Sequence, residues 1–267
     1  MPEFLQTGAV RTAYHCTGSG PPLVLMHGAE ASRLMFAALT VHLAPHMTVI
    51  AYDQRDCGDT QGPEQAGTLS ELADDAAALI RGLGHARAHV FGSSFGGRVA
   101  QALALRHPEV VSTLVLASTW ALPHDYEALY PEGAAQIARL RAQLPDSAEE
   151  LAGWFFPPAY LQEHPELRQV FAGARPQSAR SQRRAAAVAS RLERSPADIT
   201  APTLVLAGEE DRVVPARLTL QLADAIAHSR SLVLDGVGHV TVMQATERVA
   251  ATLIEFVRTG QGPQARH

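Results

Sequence analysis

Short apolar runs recur along this chain and alternate with longer segments in which apolar residues return every three or four positions. Uninterrupted apolar runs are typical of strands buried on both faces, and a spacing of three and four is typical of helices. The predicted strands are 22–27, 47–53, 89–92, 113–117, 203–207 and 231–234. The predicted helices are 32–43, 69–83, 95–106, 217–227 and 247–258. This alternation predicts an α/β fold with a mostly parallel central sheet flanked by helices.

The alternation is preceded by a predicted antiparallel hairpin, 4–9 with 11–16, and it stops between residues 121 and 200. That interval is helical and irregular, contains several prolines and has no strand-like run. We therefore expect a core formed by 1–120 and 201–260, with a helical cap inserted at 121–200. Such a cap would cover the carboxyl ends of the strands, where open α/β sheets bind ligands. Residues 261–267 are expected to form a flexible tail.

Composition excludes several classes of function. The chain has 267 residues, of which 46% are hydrophobic and 18% charged, and a formal net charge of −5, so nucleic acid or an anionic membrane is not an expected partner. It contains no lysine, which excludes Schiff-base and phosphate-loop lysine chemistry. With no signal-like start and no apolar run long enough to span a bilayer, we expect a cytoplasmic protein. The two cysteines, Cys16 and Cys57, do not form a disulfide framework.

The strongest chemical signal is a serine between a predicted strand and a predicted helix, in the run Gly92-Ser93-Ser94-Phe95-Gly96-Gly97. This is the G-x-S-x-G pattern in the setting it requires, because a tight strand-to-helix turn raises the serine hydroxyl above the sheet. Only Ser94 has glycine both two positions before and two positions after it. The helix N-terminus also adds partial positive charge next to the hydroxyl. We predict Ser94 as a nucleophile.

A serine hydroxyl needs a base, and the base needs an orienting carboxylate. His239 follows the predicted strand 231–234 in a glycine-containing loop, so it should reach the same sheet edge as Ser94. Asp211 is the predicted carboxylate, with Glu209 and Glu210 as competing acids in the same loop. The order serine, aspartate, histidine along the chain is one of the orders in which such triads occur.

Attack on a carbonyl requires backbone N–H groups aimed at the developing oxyanion. One donor should be the residue after the nucleophile, Phe95, and the other Ala29, in the loop after the predicted strand 22–27. Gly28 in that loop is predicted to contact substrate. His27 is interpreted as a brace of the loop rather than as a base.

Together these motifs resemble the α/β-hydrolase superfamily. The resemblance rests on Gly18 to Leu25 followed by His27-Gly28, on the serine turn, on Gly208 to Pro215 and on Gly238-His239, and it covers the chain outside the cap. It implies the α/β-hydrolase fold, a Ser94–His239–Asp211 triad and no metal or other cofactor. The branch that it resembles holds small bacterial carboxylesterases, enol-lactonases, methylesterases, carbon–carbon bond hydrolases and cofactor-free haloperoxidases.

Four positions qualify the resemblance. The family's D-x-R-G-x-G loop carries Asp56 in place of its first glycine, and an aspartate tolerates the left-handed backbone better than most residues. Cys57 beside it either faces the pocket or packs as an ordinary thiol. Serine at position 94 excludes dehalogenase and epoxide hydrolase chemistry, which need aspartate there. Val240 stands where carbon–carbon bond hydrolases often have an aromatic residue, which disfavours that activity.

Aromatic and basic residues suggest how a pocket is built. Trp120 directly follows a predicted strand end, and Trp154 and Phe155 lie in the cap, so all three are predicted to contact substrate, with packing of the cap as the alternative for the cap aromatics. A basic stretch on a predicted cap helix either forms a solvated face or turns one arginine inward to bind a substrate carboxylate. Its members are Arg180, Arg183, Arg184, Arg191 and Arg194.

These patterns predict a serine hydrolase that cleaves a small carboxylic ester or lactone through an acyl-enzyme, as a monomer or homodimer. A carbon–carbon bond hydrolase or a perhydrolase on the same triad is the first alternative. A non-catalytic small-molecule binding protein on this fold is the second.

Overall fold

An eight-stranded sheet forms the centre of the structure, a computed structural model that describes residues 1–173 and 178–260. Its strands are β1 Glu3–Thr7, β2 Val10–Thr17, β3 Pro22–Met26, β4 Thr48–Tyr52, β5 Ala88–Ser93, β6 Val111–Ala117, β7 Thr203–Gly208 and β8 Ser229–Leu234. They lie side by side in the order β1-β2-β4-β3-β5-β6-β7-β8. β1 and β2 pair antiparallel, as does β2 with β4, and the remaining neighbours are parallel. The predicted tail 261–267 lies outside the described residues.

The hairpin and all the predicted strands are present, and the ends of the predicted parallel strands shift by at most two residues. Strands β3, β5, β6 and β7 are buried almost throughout, which is why they read as uninterrupted apolar runs. β8 differs, because it is an edge strand with β7 as its single neighbour. Val233 on β8 is exposed, so the expectation that this run is buried on both faces is wrong.

Helices cover both faces of the sheet. Those outside the insertion are α1 Ala37–Leu43, α2 Leu69–Gly82, α3 Phe95–Arg106, α9 Ala216–Ala225, α10 Thr241–Gln244 and α11 Thr246–Thr259. One apolar layer packs α2 and α3 against the sheet, and the opposite layer packs α1 and α11. The helix predicted at 32–43 instead starts with a 3-10 turn, Arg33–Phe36, because the Arg33 backbone N–H and guanidinium both bind Asp53.

The interval between β6 and β7 is helical in its described part. It contains α4 Tyr126–Leu129, α5 Pro131–Ala142, α6 Ala148–Phe155, α7 Pro158–Glu163 and α8 Ala179–Ala189. A small apolar cluster holds α5 and α6 together, and α8 lies against the carboxyl ends of the parallel strands through contacts of its arginines with the loops after β3 and β4. Within residues 1–173 and 178–260, no helix is long and apolar enough to cross a membrane.

Candidate active site

Ser94 occupies a sharp turn between β5 and α3. Its backbone has φ 55° and ψ −124°, a conformation that costs free energy for any residue with a side chain. Strand and helix approach closely there. A Cβ on Gly92 would overlap the Gly96 backbone, and a Cβ on Gly96 would overlap the Met26 carbonyl. The Ser94 N–H donates to the Ala117 carbonyl oxygen at 2.9 Å, which ties the turn to β6. The two glycines therefore permit the turn that presents the serine.

Three predicted side chains meet at this edge of the sheet. His239 Nε2 lies 3.1 Å from Ser94 Oγ, and His239 Nδ1 lies 2.9 Å from Asp211 Oδ2. The histidine and aspartate are buried, whereas the serine is half-buried. An Nδ1–H donated to the carboxylate leaves Nε2 as the acceptor for the serine hydroxyl. The arrangement has the geometry of a base and its orienting acid beside a nucleophile.

Asp211 was predicted as the acid over Glu209 and Glu210, and of these three carboxylates the structure brings only Asp211 to the histidine. Asp211 Oδ1 also accepts the Val214 backbone N–H at 2.8 Å, which fixes the rotation of the carboxylate. Glu209 is exposed and accepts the Gly236 N–H at 2.9 Å, away from the ring, and Glu210 is exposed as well.

Of the two predicted oxyanion donors, Phe95 directly follows the serine, and Ala29 follows Gly28 in the loop after β3. Within the described chain, neither the Ala29 nor the Phe95 backbone N–H donates to another group. Gly28 lies against the nucleophile, since a Cβ built there would be 3.5 Å from Ser94 Cβ. The loop after β3, which contains the unused Ala29 donor, thus reaches the serine that precedes the first N–H of α3.

His27 braces this loop, as predicted from its position. The ring is fully buried, donates from Nδ1 to the Gly28 carbonyl at 2.8 Å and accepts the Gln54 backbone N–H on Nε2 at 3.1 Å. Burial, together with the positive charge of Arg184, lowers the pKa of His27 to about 3. The imidazole is therefore neutral, as its acceptor role requires.

The cap contacts the histidine through Phe155. The His239 backbone N–H donates to the Phe155 carbonyl at 2.9 Å, and the two rings meet edge to face with centroids 5.4 Å apart. The Gln244 side chain links the histidine loop to the same carbonyl. It accepts the Gly238 N–H at 2.6 Å and donates to the Phe155 carbonyl at 3.0 Å. Trp154 packs instead with the cap's own apolar residues and beneath the guanidinium of Arg212. Substrate contact by Trp154 therefore has no support in the geometry.

A cavity of about 890 Å³ lies between α8 and the sheet edge. Trp120 and Ala29 line it, and so does Cys57, which is buried and faces the cavity. The described lining residues do not include Ser94, Gly28, Trp154 or Phe155. The cavity thus adjoins the serine through the oxyanion loop and does not enclose it.

The unusual loop after β4 is accommodated as predicted. Asp56 has φ 60°, and its carboxylate accepts Arg183 Nε at 2.8 Å. This cap contact gives the aspartate a role that glycine could not fill.

Sequence reasoning missed four polar side chains around the site. They are Gln54, Arg98, Gln244 and, as a specific choice within the basic stretch, Arg184. Arg98 carried a detectable signal, because an arginine one helical turn after the nucleophile is unusual in a helix otherwise rich in glycine, alanine, valine and leucine. The other three could be recognised only from their contacts.

A serine in a strand–helix turn, followed by an aspartate and a histidine after later strands of a parallel sheet, defines the class of α/β hydrolases. The chain belongs to the alpha/beta hydrolase fold family, whose model matches residues 21–164, and a TAP-like protein model matches residues 174–267. It is 30% identical over 272 residues to 2-hydroxymuconate semialdehyde hydrolase of Pseudomonas sp. (strain CF600), covering 96% of this chain and 93% of that protein.

Solved structures agree with this membership. A meta-cleavage product hydrolase from Pseudomonas fluorescens IP01 superposes with a TM-score of 0.80 at 26% identity, covering 97% of this chain and 98% of that one. A thermophilic esterase from Thermogutta terrifontis superposes with a TM-score of 0.79 at 30% identity, with coverage of 97% and 98%. The chain is therefore a member of a family of hydrolases whose relatives act on different bonds.

Proposed function

We propose that this protein is a serine hydrolase that cleaves a small carboxylic ester or lactone through an acyl-enzyme intermediate. The observation that carries the proposal is the placement of His239 between Ser94 Oγ, at 3.1 Å, and the buried carboxylate of Asp211, at 2.9 Å. A protein that only binds a ligand has no need for this chain of hydrogen bonds or for the strained turn beneath it.

The reaction follows from the positions of these groups. His239 Nε2 takes the proton of Ser94 Oγ while the oxygen forms a bond to the carbonyl carbon of the substrate, and the Ala29 and Phe95 N–H groups bind the resulting oxyanion. Collapse breaks the bond to the leaving alcohol, which receives the proton from His239. Water then loses a proton to His239 and attacks the acyl-enzyme, and collapse releases the acid as Ser94 regains its proton. Asp211 stabilises the imidazolium in both halves.

Cleavage of a carbon–carbon bond is the second candidate. The named relatives that support it are the 2-hydroxymuconate semialdehyde hydrolase and the meta-cleavage product hydrolase. The Thermogutta esterase supports the ester, at equal or higher identity. Val240 after the histidine, where an aromatic residue is frequent in carbon–carbon hydrolases, favours the ester. A perhydrolase reaction would use the same acyl-enzyme with peroxide in place of water.

Labelling with a fluorophosphonate probe, read by intact mass, tests the activated serine. We expect stoichiometric labelling of the wild type, none of Ser94→Ala and much slower labelling of His239→Ala. Ser93→Ala is the matched control, because Ser93 directly precedes Ser94 but has Phe91 and Phe95, not glycine, two positions before and after it. An unlabelled but folded wild type, or labelling that survives Ser94→Ala, would contradict the proposal.

A substrate panel then separates the two bond classes. Simple alkyl esters and lactones are compared with ring-cleavage dienones at equal concentration, with Ser94→Ala as the blank. Turnover of esters or lactones with a higher kcat/KM than any dienone supports the ester assignment. The reverse order would identify a carbon–carbon bond hydrolase on the same triad.

A further inference from the structure

Arg98 is a buried arginine that no described carboxylate neutralises. It lies on α3 with 2% exposure, and its Nη1 donates to the Val188 carbonyl at 3.3 Å. Its Nε and Nη2 have no partner within the described chain. Its guanidinium carbon is 5.2 Å from the centroid of the Trp120 ring, which supports one face of the group. Burial and the charge of nearby Arg191 lower the pKa of Arg98 to about 10, so it remains charged at neutral pH.

Arg184 is a second buried arginine with an unpaired nitrogen. It is 6% exposed, and its Nε donates to the Ala29 carbonyl at 2.9 Å while Nη2 reaches Gln54 Oε1 at 3.1 Å. Its Nη1 has no partner among the described residues. The ring of Phe95 supports this guanidinium, at 4.7 Å.

The two arginines face one cavity from adjoining positions. Both line the cavity of about 890 Å³ between α8 and the sheet edge. Arg184 and Val188 are four residues apart on α8, hence on one face of that helix, and Arg98 contacts Val188. The Arg98 group therefore lies about one helical turn from the position of Arg184 along α8.

Three of the four carboxylates around the cavity are paired with other arginines. Four of its lining residues are acidic, namely Glu30, Asp56, Asp125 and Glu127. The first three pair with Arg141, Arg183 and Arg191, and Glu127 is exposed. Burying a cation without a counter-charge is unfavourable, and an anion that enters the cavity would offset this cost.

We propose that Arg98 and the free edge of Arg184 form a subsite for a carboxylate of the substrate, so that the enzyme prefers small esters or lactones that also carry a carboxylate group. This inference rests on the proposed function, because it concerns the substrate of the same site. The guanidinium fork fits the planar carboxylate. The Trp120 ring and the Val188 methyl groups suit the short carbon chain between that carboxylate and the scissile carbonyl.

The position of Arg98 relative to the nucleophile favours a short spacer between carboxylate and scissile carbonyl. Arg98 is four residues after Ser94, so the two positions lie on the same side of the start of α3. Helical side chains lean toward the helix N-terminus, which directs the Arg98 side chain back toward the turn that carries the serine. A substrate bridging the two points needs its carboxylate only a few bonds from the scissile carbonyl.

Matched substrates measure the preference directly. The ethyl half-esters of succinic, glutaric and adipic acid are compared with the ethyl esters of the corresponding monoamides, which replace the carboxylate by a neutral group of the same shape. We expect the wild type to favour the best half-ester by about tenfold to a hundredfold in kcat/KM, the range of one charged hydrogen-bonded contact. Arg98→Gln should bring this ratio close to one, mainly through KM, and Arg98→Lys should give an intermediate ratio.

Arg106→Gln is the control, because Arg106 is also on α3 but is bound to Asp74 at the surface. Its ratio should equal that of the wild type. A wild type without preference, or a folded Arg98→Gln that keeps the preference, would overturn the subsite.

Binding provides a readout that does not depend on turnover. Titration calorimetry of succinate, glutarate and adipate into Ser94→Ala should show binding of at least one diacid. The double variant Ser94→Ala, Arg98→Gln should bind the same diacid at least tenfold more weakly. If no diacid binds to Ser94→Ala, or if the double variant binds equally well, the subsite proposal fails even where labelling establishes the serine. If labelling fails while the diacid binds through Arg98, the proposed function fails and the subsite remains.

Discussion

The Nδ1 atom of His239 lies 2.9 Å from Oδ2 of Asp211, with both side chains buried. The carboxylate is held in turn by the Val214 backbone N–H at 2.8 Å. The tautomer of the imidazole is therefore determined by a group that is itself fixed in place. Under the proposed function, the reactivity of Ser94 should therefore depend on Asp211, although the two side chains are linked only through His239.

Asp211→Asn should lower kcat for ester hydrolysis by about 10⁴-fold, because an amide at this position can select the wrong imidazole tautomer. Steady-state kinetics at neutral pH measure the effect. Glu210→Gln is the control, since this neighbouring acid is exposed, and it should behave as the wild type. A comparable loss in Glu210→Gln, or none in Asp211→Asn, would be inconsistent with the triad.

The stability of the fold should depend on His27 in acid. The pKa of His27 in the folded protein, about 3, lies below the ordinary histidine value of 6.5, so the unfolded chain binds the proton first as the pH falls. The stabilisation from the neutral ring is complete above pH 6.5 and is lost as the pH falls toward 3, at up to about 1.4 kcal/mol per pH unit.

Urea unfolding of the wild type and His27→Gln between pH 4 and pH 7 tests this dependence. The variant should be less stable at pH 7, because the Gln54 N–H loses its ring acceptor. The unfolding free energy of the variant should also fall less steeply as the pH is lowered. The difference in slope should correspond to at most one proton taken up on unfolding. Parallel curves for the two proteins would show that His27 does not carry the charge-dependent loss.

The glycines of the serine turn should differ from glycines elsewhere. Gly96→Ala places a Cβ against the Met26 carbonyl oxygen, so the backbone must move. We expect the unfolding free energy to fall by about 1–3 kcal/mol. We also expect the fluorophosphonate probe to stop labelling Ser94. Gly153→Ala, in α6, meets nothing within 4 Å and should be neutral or stabilising by about 0.5–1 kcal/mol. Thermal unfolding measures the stability of both variants. Equal changes in stability would show that the close approach at Gly96 does not cause the destabilisation.

Gln244 should couple the cap to the catalytic loop. Gln244→Met retains the volume but removes the bonds to the Gly238 N–H and the Phe155 carbonyl, so we expect a loss of about 1–3 kcal/mol in stability and a lower kcat. Gln136→Met removes exposed polar contacts on α5 and serves as the control. If both variants keep the wild-type kcat and unfolding temperature, the amide does not position the histidine loop.

Much of the architecture could be predicted because it depends on local pattern. Strands buried on both faces must be apolar throughout, so their runs are visible in the sequence, and α3 has the predicted bounds 95–106. The Ser94 turn is equally local, since only glycine permits the approach of β5 and α3. The edge strand β8 was misjudged because exposure depends on the number of neighbouring strands, which is a property of the assembled sheet.

By itself the sequence determined the order of the predicted strands and helices along the chain, the serine turn and the histidine after the last strand, because each is marked by its residue types and its place relative to a strand. It favoured Asp211 as the acid, and the tertiary structure decided between Asp211 and the two glutamates of the same loop. Only the tertiary structure decided which of several arginines turn inward, and which of two adjacent aromatics, Trp154 and Phe155, touches the histidine. Neighbouring helical residues point about 100° apart, so the side that faces the site depends on how the helix packs. Packing likewise placed Arg98 and Arg184 beside one cavity, although 86 residues separate them in the chain, because α3 and α8 meet only when the cap is folded over the sheet.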